Sequence, residues 1–206
     1  MIMKKIAIIC LAAASLITAC DTNDDIDRSI WISDSDDYNL PEYSEWGYNT
    51  FGAKMGRNYF VSCWHEIPCA LEWHGDNSTL ELTMNGRESS YYGDDMSLTI
   101  IFPCDSVIDS NRKLYLLDGK TIDLTDPAVK VIVGHNDRES EQVELIEDIR
   151  GGELYFKHVQ LLYIDDKFTE AIISGTFDIR YKDGAGQKCT ITNGRFDLGI
   201  TDDLFW

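Results

Sequence analysis

FTEAIISGTFDIRY, residues 168–181, alternates with a period of two. Ala171, Ile173, Phe177, Ile179 and Tyr181 fall on one face, while Glu170, Ser174, Thr176, Asp178 and Arg180 fall on the other. Side chains of an extended chain point alternately to opposite sides, so the stretch reads as a strand with one face buried and one solvated. Downstream, DGAGQ at 183–187 reads as a hairpin turn, because its glycines permit positive φ. The strand that follows, KCTITNGRFDLGI, carries Cys189 and Ile191 on odd positions but Phe196, Leu198 and Ile200 on even ones. One added residue swaps the faces, and Asn193-Gly194 is the natural place for that β-bulge. Upstream, ELYFKHVQLLYID is apolar on both faces and reads as a central strand. With Lys167 in a tight connection, residues 153–200 form a three-stranded antiparallel meander.

The same alternation recurs nearer the N-terminus. Leu80, Leu82 and Met84 make one set, Met96, Leu98, Ile100 and Phe102 a second, and Val129, Val131 and Val133 a third. DRESEQVELIEDI at 137–149 is the one helix candidate, and it reads equally as a strand after a charged loop. The expectation is an all-β antiparallel domain of about nine or ten strands, either a β-sandwich or a flattened barrel.

WGYNTFGAKMGRNYFV and ISGTFDIRY…ITNGRFDLGI together resemble a family of lipoproteins from gut Bacteroidota. Its members open with an N-T-F-G strand and close with an I-S-G-T-F hairpin ending in G-R-F-D. The resemblance covers the two ends of the domain, and CWHEIPCALEWHG in the middle does not match it. It implies a β fold and the cell envelope; it implies no activity and carries over no catalytic residue.

The N-terminus gives an address. Lys4 and Lys5 precede the apolar run Ile6–Ile17, which is too short to span a bilayer as a helix. Ile17-Thr18-Ala19-Cys20 resembles a lipobox, which makes residues 1–19 a lipoprotein signal peptide and Cys20 the lipidated residue. Several acyl chains there would anchor durably, since each buried CH₂ contributes about 0.8 kcal/mol. Residues 20–45 are dense in acids and read as an extended, solvated tether, which leaves 46–206 as the single β domain. DTNDDID lacks the glycine of an EF-hand and reads as part of that tether. Acids directly behind a lipidated cysteine resemble the surface-export signal of Bacteroidota. The expected location is therefore the outer membrane, lipid-anchored and facing the cell surface, with a periplasm-facing anchor as the alternative.

The chain has 18 basic and 36 acidic residues; without the signal the bases fall to 16, a net of −20. That excludes a nucleic-acid partner, whose phosphates need cations, and limits membrane contact to the anchor. With Cys10 and Cys20 set aside, Cys63, Cys69, Cys104 and Cys189 remain, an even number in an exported chain. Three pairings are possible, and Cys63–Cys69 with Cys104–Cys189 is favoured. Zinc fits the spacing poorly, since paired C-x₂-C units are missing.

His65-Glu66 and His74 offer metal-ligand chemistry, but H-E-x₇-H is not the helical H-E-x-x-H, so no metal or other cofactor is expected. His135 and His158 read as ordinary loop and sheet residues. Carboxylate pairs such as Asp94-Asp95, Asp165-Asp166 and Asp202-Asp203 arise by chance among so many acids and assign no catalytic residue. Aromatics at turns are the better lead. Trp46, Trp64, Trp73, Tyr91 and Tyr92 could stack on sugars, against the plainer reading that large rings fill the core. Asp105-Ser106-Val107 resembles a Bacteroidota O-glycosylation motif, which marks Ser106. The functional expectation is an anchored binding or scaffolding module for a glycan or an envelope protein, without catalysis. The alternative is a small envelope hydrolase acting on polysaccharide.

Overall fold

The structure, a computed structural model, describes residues 37–62, 68–88, 95–136 and 141–205. Residues 1–36, which hold the expected signal segment, Cys20 and most of the expected tether, lie outside the described residues, as do Cys63, Trp64, His65, Glu66, Tyr91 and Tyr92. Among the described residues are eleven strands: β1 (Thr50–Met55), β2 (Asn58–Val61), β3 (Cys69–His74), β4 (Thr79–Glu88), β5 (Asp95–Pro103), β6 (Thr121–Asp123), β7 (Lys130–Asn136), β8 (Glu141–Leu145), β9 (Asp148–Ile164), β10 (Lys167–Lys182) and β11 (Lys188–Ile200). They form one sheet in the order β6-β9-β10-β11-β1-β2-β4-β5-β7-β8, with β3 also paired to β4. Every ladder is antiparallel.

The sheet is bent double. Six ladder steps separate β9 from β5, about 29 Å at ~4.8 Å per step in a flat sheet. Yet the rings of Phe102 on β5 and Phe156 on β9 have centroids 5.7 Å apart. The β2–β4 junction, where only Phe60 and Val61 pair with Glu88 and Arg87, is the weak seam between the two layers. The outer strands β6 and β8 do not pair, so the sheet stays open. Between the layers lies a single core: Phe51, Phe60, Phe102, Phe156 and Phe196 are fully buried with Leu80, Leu82, Met84, Leu98 and Ile100. Each such side chain contributes about 1.5–3 kcal/mol by leaving water.

The meander forms as β9, β10 and β11, beginning at Asp148 rather than at residue 153. Asp165 and Asp166, both at positive φ, make the two-residue hairpin between β9 and β10. At the next turn Asp183 accepts hydrogen bonds from the amides of Ala185 and Gln187, with Gly186 at φ 78°. The bulge falls where the face swap demanded it. Against β1 the register runs from Gly52↔Arg195 to Lys54↔Thr192, and against β10 from Phe177↔Gly194 to Ile179↔Ile191. Two residues of β11 thus oppose one on each neighbour, and Asn193 takes the left-handed conformation at φ 55°. Of the helix-or-strand candidate, Glu141–Leu145 is strand β8.

Two features have no local signal in the sequence. A 3₁₀ helix, Asn111–Leu117, buries Leu114 and Leu117 completely. Residues 37–49 form a strap across the outer face of the meander, with Leu40 fully buried. The domain boundary expected at residue 46 therefore falls inside the strap: residues 37–45 pack on the sheet as part of the domain.

Candidate functional site

Asp197, on β11 and 1% exposed, holds the strap in place. Its carboxylate accepts from the Ser44 hydroxyl at 2.5 Å and from the amides of Trp46, Gly47 and Tyr48 at 3.1, 2.7 and 3.2 Å. A fifth bond comes from the buried Ser174 hydroxyl on β10, at 2.9 Å. A buried carboxylate is costly unless hydrogen-bonded, and these donors meet that need. Gly47, at φ 74°, lets the strap lie close: a Cβ there would sit 3.0 Å from Ile172. Upstream, Pro41 passes directly over Gly52 of β1 and its carbonyl accepts from Arg195 at 3.4 Å.

The strap and the bulge together create a groove of about 770 Å³ on the outer face of β10 and β11. Polar side chains of its lining are Tyr43 from the strap, Thr176, Asp178 and Arg180 from β10, and Thr192, Asn193 and Arg195 from β11, beside Phe177 and Gly194. Without the bulge, the side chains after residue 193 would point to the opposite side of the sheet. Tyr43 is fixed on two sides. Its hydroxyl donates to Glu45 Oε1 at 2.9 Å, and Lys157 Nζ sits 4.4 Å from the ring centroid. Burial, then the Glu45 hydrogen bond, pushes the Tyr43 phenol well above its ordinary range, so the hydroxyl stays protonated as a donor. Glu45 is held below the usual carboxylate range, first by Tyr43 and then by its contact with Lys157. Hydroxyls, an amide, a carboxylate, two guanidiniums and a ring can make directional bonds to a polyhydroxylated ligand and stack on it.

A second concavity, about 340 Å³, opens at one end of the folded sheet between the two layers. Cys189, Tyr181, Met55, Met96 and His135 are among its lining residues. The Tyr181 phenol is raised to about 12, chiefly by burial and then by the neighbouring Cys189.

The geometry bears on one of the two favoured pairings, Cys104–Cys189. Cys69, Cys104 and Cys189 are free thiols. Cys104 follows the last residue of β5, whereas Met96, near the first, lines the cavity that contains Cys189. The eight steps from Met96 to Cys104 span about 26 Å at ~3.3 Å each, far beyond the ~7 Å limit for bridged Cα atoms. Cys69 and Cys104 are instead small apolar core residues, and burial raises their thiols to about 12 and about 11. The Cys63–Cys69 pairing involves a residue outside the described set.

The aromatic candidates separate. Trp73 shares the inward face of β3 with Cys69 and Leu71 and packs, partly buried, against the core. The alternation of those three residues is the signal that would have placed it. Trp46 is 72% exposed on the strap. His74 meets Glu81 at 3.0 Å and Glu72 at 3.6 Å, and these three side chains, with ligand atoms within 4.8 Å, form the metal-capable group among the described residues. With carboxylates at both ring nitrogens, His74 is accounted for as a surface hydrogen-bonding residue. Ser106 sits half-buried in the loop after β5, between exposed Asp105 and Val107. Tyr43, Arg180 and Arg195, which the sequence did not single out as site residues, line the groove. Compared with known proteins, the chain matches no family model, no curated protein and no solved structure.

Proposed function

We propose that the protein is a lipoprotein anchored through Cys20 on the outer membrane, facing the cell surface, and that it binds a glycan in the groove between the strap and the β11 bulge. The observation that carries this reading is the groove lining, which joins Tyr43 of the strap to Thr176, Asp178, Thr192 and Asn193 of the sheet. Sugars are bound by a ring for stacking and by polar side chains for their hydroxyls, and this groove offers both. The lipobox-like Ile17–Cys20 and the acids behind it support the address. The family resemblance carried by the two ends of the domain points to the same compartment.

Binding is favoured over hydrolysis. Cleavage of a glycosidic bond by the usual route needs two carboxyl groups flanking it. Asp178 is the acid in the groove lining; Glu153 stands opposite it on β9 but does not line the groove. A glycan array probed with the full chain tests the proposal. Tyr43→Ala and Asp178→Ala should each weaken the bound glycan about tenfold, the loss of one stacking or hydrogen-bonding contact. Unchanged binding by both variants removes the groove from the account, and release of shortened sugars would move the protein to the hydrolase class.

A further inference from the structure

We infer that the glycan is acidic: the outer face of β10, β11 and β1 binds a polysaccharide bearing carboxylate or sulfate groups. The inference rests on the glycan-binding reading and narrows its ligand. Acids outnumber bases two to one in this chain, 36 to 18. Four cations sit against acids in Arg87–Asp95, Lys113–Asp109, Arg150–Asp148 and Lys157–Glu45. The face that carries the groove instead gathers cations side by side. Arg180 and Lys182 are on one side of β10, and Lys188, Thr190, Thr192 and Arg195 are on the same side of β11. Lys54 of β1 pairs with Thr192 and also points outward, its Nζ 5.8 Å from the ring of Tyr59. Among the described residues, Lys54, Arg180, Lys182 and Lys188 take part in no ion pair. Asp178 and Glu153 are the acids in register beside them; Asp148, opposite Lys182, is already bound to Arg150.

The placement of these cations works against the fold. Lys182 and Lys188 stand directly opposite each other across β10 and β11. Like charges in that position destabilise a sheet. Asp183 offsets them only in part, because its Oδ1 is committed to the turn amides. Arg180 lies flat across Gly151, where a Cβ would come within 2.7 Å of its Nη2, so a glycine on β9 is what gives this guanidinium its place on the sheet. From Arg195, level with Thr176, to Lys188, level with Lys182, the cations run over six residue steps of β10. That is a track of about 20 Å at ~3.3 Å per residue, long enough for several sugar rings. Guanidiniums match carboxylate and sulfate oxygens, and the hydroxyls of Thr176, Thr190 and Thr192 lie between the charges.

The test uses the full chain in detergent and paired probes that differ in charge alone: polygalacturonate against its methyl ester, and heparan sulfate against its desulfated form. The charged member of at least one pair should bind tenfold or more tighter than its neutral counterpart, and rising salt should erase the difference. Arg180→Gln and the double variant Lys182→Gln/Lys188→Gln should each cost that ligand about tenfold, the loss of a charge-assisted contact. All three residues are on a solvated face, and circular dichroism checks that the sheet is intact. Equal binding within both pairs overturns the inference. So does tight binding of an acidic glycan that the variants do not alter. Tyr43-dependent binding confined to neutral glycans would leave the glycan reading standing and the acidic one lost; no binding to any probe would remove both. Anionic vesicles free of glycan that bind with the same dependence on these residues would make the face a lipid contact and sink the inference.

Discussion

Replacing Asp197 by alanine should detach the strap without dissolving the sheet. The carboxylate takes five hydrogen bonds, from Ser44, Trp46, Gly47, Tyr48 and Ser174. A hydrogen bond to a charged group contributes about 1.5–3 kcal/mol, but five bonds sharing one acceptor do not add. Removing the acceptor also leaves the Ser174 hydroxyl unpaired in a fully buried position. The expected loss is about 3–5 kcal/mol, a large part of a marginal total. For a domain of this size that lowers Tm by roughly 6–20 °C. Asp197→Asn keeps one oxygen and turns an NH₂ toward the donors, so it should lie between the two. The assay pairs thermal melting with hydrogen exchange, in which the amides of Trp46, Gly47 and Tyr48 should lose protection before those of β10. A fall in Tm below 2 °C with those amides still protected would refute the reasoning, because the strap would then be held by something other than this carboxylate.

The bulge and the cysteines give two more expectations. Asn193→Val should destabilise by about 1–2 kcal/mol in a denaturant titration, since a β-branched residue strains at φ 55°, whereas Asn193→Gly should stay within a few tenths. Equal losses for both would mean that the side chain and not the backbone conformation matters there. In the native protein a thiol reagent should modify Cys189 before Cys69 and Cys104. Cys69 and Cys104, buried and with thiols raised to about 12 and about 11, should react only on unfolding. Peptide mapping that finds Cys104 joined to Cys189 would contradict the placement of β5.

What could be read from the sequence follows from the range of the interactions. Alternation over Phe168–Tyr181 is a local property of an extended chain, and β10 buries Ala171, Ile173, Phe177 and Ile179 as that pattern requires. The swap from Ile191 to Phe196 also had to be resolved within β11, so Asn193-Gly194 could be named as the bulge. The strap could not be found that way. Ser44 reaches an acceptor 153 residues further along the chain, and nothing near Ser44 signals it. For the same reason residues 37–45 read as more acidic tether. The groove needs three segments at once, and Arg180 and Arg195 become neighbours of Tyr43 only after β10 and β11 pair. Cysteine count alone suggested bridges, but the ends of β5 and the level of Cys189 on β11 are fixed by register, which counting cannot supply.

Hydrogen exchange of the full chain, with and without the glycan captured from the array, tests the central claim most directly. Slowed exchange should be confined to the strap at 41–44, to Thr176–Arg180 and to Thr192–Arg195. Protection that appears instead around Met55, Met96 and Cys189, or nowhere on the described surface, would contradict a binding groove built by the strap and the bulge.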